Sequence, residues 1–185
     1  EVTVVDRQPG GGLETSFANG GQISVSHAEP WANPSAPGKI LRWLFHRDAP
    51  LRFRLRLDPL QWRWGLQFLR ECLPARARSN TAQLVRLGLY SRAALDRLRG
   101  ETGIANDHLE CGILHFFIDR ASYEHAASMA ELMRAHGSDL VLKSAPECLA
   151  IEPALASIAD ALVGGTFTPS DQSGDAHLFT LAVAT

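Results

Sequence analysis

Short apolar runs, separated by glycine, proline and polar stretches, divide the chain into candidate elements. Val2, Thr3, Val4 and Val5 form a β-branched run closed by Asp6, the pattern of a strand buried on both faces of a parallel sheet. Residues 8–12 break it as a loop. Residues 14–24 are small and polar, and Asn19, Gly20 and Gly21 suit left-handed backbone. Pro30, Pro34 and Pro37 keep the next stretch irregular, and residues 39–47 read as a short helix. Residues 51–57 alternate strictly, which predicts a strand with one arginine face. Asp58 and Pro59 read as the N-cap and first position of a helix reaching about Cys72.

A longer helix, capped at Ser79 or Asn80, is predicted to reach Leu98. Leu84, Leu87, Ser91, Leu95 and Leu98 fall on one of its faces, with Gly100 and Gly103 as stop signals. Residues 110–118 read as a strand, 122–136 as a helix with Gly137 after it, and 140–143 as a short strand. Residues 145–151 form a short helix ended by Glu152 and Pro153. Residues 161–168 make a strand, 171–175 a turn, and a helix starts at Ala176. Strands and helices mix without strict alternation after the first strand. The expected class is α/β plus α+β.

Composition narrows the picture. With 45% hydrophobic and 21% charged residues, the chain is globular rather than disordered. No apolar run approaches the roughly 18–20 residues of a membrane span, and the first residues do not read as a signal peptide. The sequence opens directly on a strand and stops inside an apolar run, as a piece of a longer protein does. Cys72, Cys111 and Cys148 show no paired spacing, which fits free thiols in a reducing compartment, the cytoplasm.

The net charge of −2 conceals a strong asymmetry. Residues 36–99 hold 14 basic residues against four acids, +10, and the rest holds four against 16, −12. Trp31, Trp43, Trp62 and Trp64 lie within or just before that basic segment. Arginine with tryptophan suits an anionic membrane surface. The plainer reading packs the aromatics inward and leaves the arginines solvated. No nucleic-acid-binding motif occurs.

Catalytic signals are sparse. The histidines show neither HxxxH nor HExxH spacing, so no metal site is expected. There is no GxSxG elbow, and no residue can be assigned a catalytic role. Gly10, Gly11 and Gly12 do not fit GxGxxG, because Thr15 takes the last glycine position. A buried strand ending in Asp6 has the form of a dinucleotide-binding second strand, whose acid takes the ribose hydroxyls. Many buried strands end in aspartate without that role.

Residues 1–10 (EVTVVDRQPG) and 14–24 (ETSFANGGQIS) together resemble the FAD-dependent D-amino acid dehydrogenases of the D-amino acid oxidase group. The similarity continues in order through APL at 49–51, YSR at 90–92, ETGI at 101–104, CGIL at 111–114, EPAL at 152–155, GD at 174–175 and LFT at 178–180. The most specific part is residues 15–24.

The resemblance implies a partial FAD-binding Rossmann-like domain with an inserted mixed-sheet substrate domain. Residues 1–30 would supply the second strand and flavin loop, residues 31–167 the substrate domain, and residues 168–185 the return to the FAD-binding domain. It implies Asp6 for the adenosine ribose and Arg7 beside the adenine. Ser16, Asn19 and Gly20 would approach the pyrophosphate and ribityl chain, and Gly21, Gln22 and Ile23 the isoalloxazine ring. The implied reaction oxidises a D-amino acid to a 2-oxo acid and ammonia and passes electrons to a respiratory acceptor such as a quinone. Residues 36–99 would then dock on the inner face of the cell membrane. The alternatives are a related amine oxidoreductase, acting on glycine, sarcosine or a cyclic imino acid, and a non-catalytic basic-surface interaction fragment. The family's first strand and GxGxxG turn are not in the sequence, and Cys111 stands where a small residue is usual.

Overall fold

The computed structural model describes residue 3, residues 5–43 and residues 56–184. Residues 2 and 4 of the expected first strand lie outside the described residues, as do residues 44–47 of the expected helix at 39–47 and most of the alternating segment at 51–57. The described residues 3 and 5 are not strand, and Val5 is exposed rather than buried.

Helix α1 (Ala36–Trp43) starts three residues earlier than residue 39, because Asn33 caps it. The Asn33 Oδ1 accepts from the Ser35 and Ala36 amides at 3.0 and 3.1 Å. Helix α2 (Pro59–Glu71) begins as expected, with the Asp58 carboxylate accepting from the Leu60 amide at 2.9 Å.

Helix α3 (Pro74–Thr102) departs from expectation twice. It starts at Pro74, not near Ser79 or Asn80, since extended Leu73 leads into a proline whose missing N–H costs nothing in the first turn. Gly100 stays helical and Gly103, at φ 67°, ends the helix. The buried face is also different. Ala77, Thr81, Ala82 and Val85 are buried, whereas Leu84, Leu87 and Leu98 are exposed. Small residues win that face because the neighbours come close. A Cβ on Gly88 would lie 3.3 Å from Val25 Cγ1. Val25, Ala28, Val85, Ala130, Met133 and Leu140 form one core cluster there.

Strands β2 (Ile113–Phe117), β3 (Val141–Ser144) and β4 (Gly164–Thr168) make an antiparallel sheet in the order β2-β4-β3. The strand expected at 161–168 begins at Gly164, because Pro153–Ala161 coils as a 3-10 helix. Helix α4 (Arg120–Ala135) is capped by Asp119, whose Oδ2 accepts from the Ser122 amide at 2.8 Å. Helix α5 (Ala145–Ile151) is closed by the Ser144–Glu147 capping box. It packs so tightly on β4 that a Cβ on Gly165 would meet Cys148 Sγ at 2.8 Å. Cys148, Leu155 and Leu162 form the second core cluster.

The predicted turn at 171–175 contains a strand instead. Strand β5 (Gln172–Ser173) pairs antiparallel with β1 (Gln22–Ile23), a partner some 150 residues away that local sequence cannot reveal. Helix α6 (Ala176–Ala184) follows. Every strand pair among the described residues is antiparallel.

Candidate functional site

The small, polar stretch at 14–24 folds as one compact unit. A 3-10 turn at Thr15–Phe17 leads to Asn19, whose Oδ1 accepts from the Gly21 amide at 2.7 Å. Gly21 sits at φ 57°, and a Cβ there would lie 2.2 Å from the Gly174 carbonyl oxygen. In return the Gly174 amide donates to the Gly21 carbonyl at 2.8 Å. Only glycine allows this approach. It welds the loop to the turn that opens α6.

Beside this weld lies a cleft of about 490 Å³, lined by Asn19, Gly20, Gly21, Gln22, Ile23, Leu95, Asn106, Gly174, Ala176 and Phe179. Its size is that of a small-ligand or cofactor site. Gly20 has nothing within 4 Å of where a Cβ would stand, so bare backbone faces open space. Asn106 is buried and its Oδ1 has no hydrogen-bond partner, a free acceptor at the wall. These features fit a group that approaches the backbone closely and donates a hydrogen bond.

The cleft is held from behind by β5. The Gln172 side chain accepts from Arg99 Nη2 at 2.7 Å and sits 3.0 Å from His108 Nε2. Asp171, fully buried, ties the far end of the loop. Its carboxylate accepts from Ser24 Oγ and Ser26 Oγ, each at 2.6 Å, and from the Val25 amide at 2.9 Å.

The expected site residues divide into two groups. Asn19, Gly20, Gly21, Gln22 and Ile23 come together at the cleft. Asp6, Arg7 and Ser16 do not line it. The Asp6 carboxylate accepts from the Gln8 amide at 2.8 Å, and Arg7 pairs with Glu14, its Nε donating at 2.7 Å. Ser16 lies in the 3-10 turn, next to Phe17, whose ring meets His177 of α6 edge-on at 5.1 Å. Sequence reasoning missed Leu95, Asn106 and the anchoring Asp171. Asn106 and Asp171 carried no motif, and tertiary contacts alone bring them in. No group of three or more metal-ligating side chains occurs among the described residues.

Across residues 1–185 the chain matches the family model "DAO: FAD dependent oxidoreductase". It is 57% identical over 185 residues to the D-amino acid dehydrogenase of Paramagnetospirillum magneticum and 55% identical over 184 residues to that of Dechloromonas aromatica. All of this chain is covered in both cases, and it spans 44% of each relative's length. Among solved structures, glycine oxidase from Geobacillus kaustophilus overlaps 55% of this chain and 28% of its own, at 28% identity and a TM-score of 0.47. The chain therefore belongs to the DAO family of FAD dependent oxidoreductases.

Proposed function

We propose that the whole protein is a D-amino acid dehydrogenase that converts D-amino acids to 2-oxo acids and ammonia and passes the electrons to a respiratory acceptor such as a quinone. The observation that carries this reading is the Gly21–Gly174 weld beside an open cleft, in a chain 57% identical to a D-amino acid dehydrogenase.

In this reading Gly21, Gln22 and Ile23 hold the isoalloxazine ring of FAD, Ser16, Asn19 and Gly20 the pyrophosphate and ribityl chain, and Asp6 with Arg7 the adenosine end. When bound, FAD supplies the two-electron oxidation of the substrate. The chain's contribution is position. Gly20 leaves room for close approach, and the Asn19 side chain together with Gly174 fixes the Gly21 peptide before any ligand arrives. Little order then remains to be imposed on binding.

The proposed organisation follows the same lines. Residues 1–30 and 168–185 form the cofactor side, which the β1–β5 pairing and the packing of the 3-10 turn on α6 support. Residues 31–167 form the substrate domain. Attachment of the cytoplasmic enzyme to the inner membrane face is supported by the exposure of Trp31, Trp62 and Trp64 and by the basic segment around them.

The test uses the full-length protein. It should purify yellow and reduce an artificial electron acceptor with D-alanine but not with L-alanine. A protein that stays colourless after reconstitution with FAD overturns the reading.

A further inference from the structure

A second cavity, of about 760 Å³, lies between α4, the β2–β4 sheet and the segment entering α1. It shares no lining residue with the cofactor cleft. Its volume falls within the range of small-molecule sites. Its floor is apolar and includes Leu114, Ala126, Met129, Met133 and Leu140. Methionines on such a floor adapt to varied apolar shapes.

The polar groups of the cavity are unevenly committed. The Glu29 carboxylate is the one acidic side chain in the lining, and its oxygens are taken. Both lie 3.1 Å from His125 Nε2, and Oε1 also accepts from Asn33 Nδ2 at 3.0 Å. The Ser26 hydroxyl donates to Asp171, and Ser35 Oγ donates to Asn33 Oδ1 at 2.7 Å. Donors and cations are what remain. Among the described residues the Lys39 ammonium, at the mouth, has no side-chain partner. His115 Nε2 is buried with none. His115 stacks on His27 with ring centroids 5.9 Å apart. A buried polar atom without a partner is costly, and a ligand that supplies one recovers that cost.

We propose that this cavity binds an amphiphilic monocarboxylate. The carboxylate meets Lys39 and the His27–His115 pair, and the aliphatic tail lies over Met129 and Met133. A charge-assisted bond from Lys39 and the buried imidazole give the head group its affinity. The apolar floor selects for a tail. The site is separate from the flavin cleft, so its occupancy does not depend on the dehydrogenase reading.

The test is calorimetric titration of the full-length FAD-loaded protein with sodium hexanoate, alongside acetate, which lacks the tail, and hexanamide, which lacks the charge. One hexanoate should bind per chain, and the two controls should bind about tenfold or more weakly. Lys39→Gln and His115→Leu should each weaken hexanoate by about tenfold. Ala126→Phe, which fills the floor, should abolish binding. Bound-flavin absorbance and far-UV circular dichroism should stay unchanged in Lys39→Gln, an exposed position that leaves the fold intact even where His115→Leu does not. Absence of binding, equal affinity for acetate, or full affinity in Lys39→Gln and Ala126→Phe would each overturn the proposal.

Discussion

Gly21 is held by two independent constraints, a left-handed φ of 57° and a carbonyl 2.2 Å from where a Cβ would stand. Gly21→Ala must therefore push the loop away from Gly174. In the full-length protein it should lower the flavin-to-protein absorbance ratio and the melting temperature together. Asp171 is constrained by its burial. Asp171→Ala leaves the Ser24, Ser26 and Val25 donors facing an empty site, and each unpaired donor costs about 1–3 kcal/mol. Urea denaturation should report that loss, and Asp171→Asn, which keeps one acceptor oxygen, should lose less. His115 gives a pH dependence. Burial, and then the charge of His27, lowers its pKa below 6.5, with Asp171 pulling the other way. A histidine that resists protonation when folded accepts protons more readily when unfolded. Stability should therefore fall as pH drops below 6.5 and level off below the folded pKa, and His115→Gln should flatten that part of the curve.

At the scale of elements, the α3–α4 contact makes the sharpest prediction. Met133 is 4% exposed and Leu87 62%. Met133→Ala should cost about 2–5 kcal/mol, whereas Leu87→Ala should stay within about 0.5 kcal/mol. Equal effects in thermal melts would mean that the leucine face is the packed one. That contact also marks where the sequence was readable. The start of α2 and the span of α5 were legible, and α4 and strand β2 within a few residues at their ends, because each rests on local sequence. The Asp119 cap of α4 and the Ser144–Glu147 box of α5 were not read. The start of α3 was not legible, since Ser79 and Asn80 look like caps but lie inside the helix. Its packed face was hidden because leucine periodicity outweighed a stripe of alanine, threonine and valine. In the cleft, Asn19, Gly20 and Gly21 were legible as a close-approach loop from their left-handed tendency, and Gln22 and Ile23 were named only through the family resemblance. Asn106 and Asp171 were not legible, because an isolated asparagine or aspartate acquires its role only from what folding places beside it.

For the whole molecule the unequal distribution of charge has a structural counterpart. Helix α2 buries none of its side chains, and Leu60, Trp62, Trp64, Leu66 and Leu69 on it are exposed alongside Arg63 and Arg70. A helix this apolar and this basic matches the headgroup layer of an anionic bilayer. If α2 docks there, the full-length protein should sediment with phosphatidylglycerol vesicles and much less with neutral ones. Trp62→Ala with Trp64→Ala, or Arg63→Glu with Arg70→Glu, should release it, and added salt should weaken the neutral-to-anionic contrast. Binding that ignores both double variants assigns the surface to another part of the protein.

The pairing of Ile23 with Gln172 has a consequence for how such a chain can change length. In the proposed organisation the polypeptide leaves the cofactor side and returns to it on two adjacent strands. Residues 24–171 lie between these two strands and also meet the return segment, where the Asn106 carbonyl accepts from the Asp175 amide at 2.7 Å. Lengthening a loop away from these contacts adds closure entropy that grows only with the logarithm of the insertion. On the proposed assignment the cofactor side can therefore stay geometrically constant while the module between the two strands is enlarged, trimmed or re-surfaced.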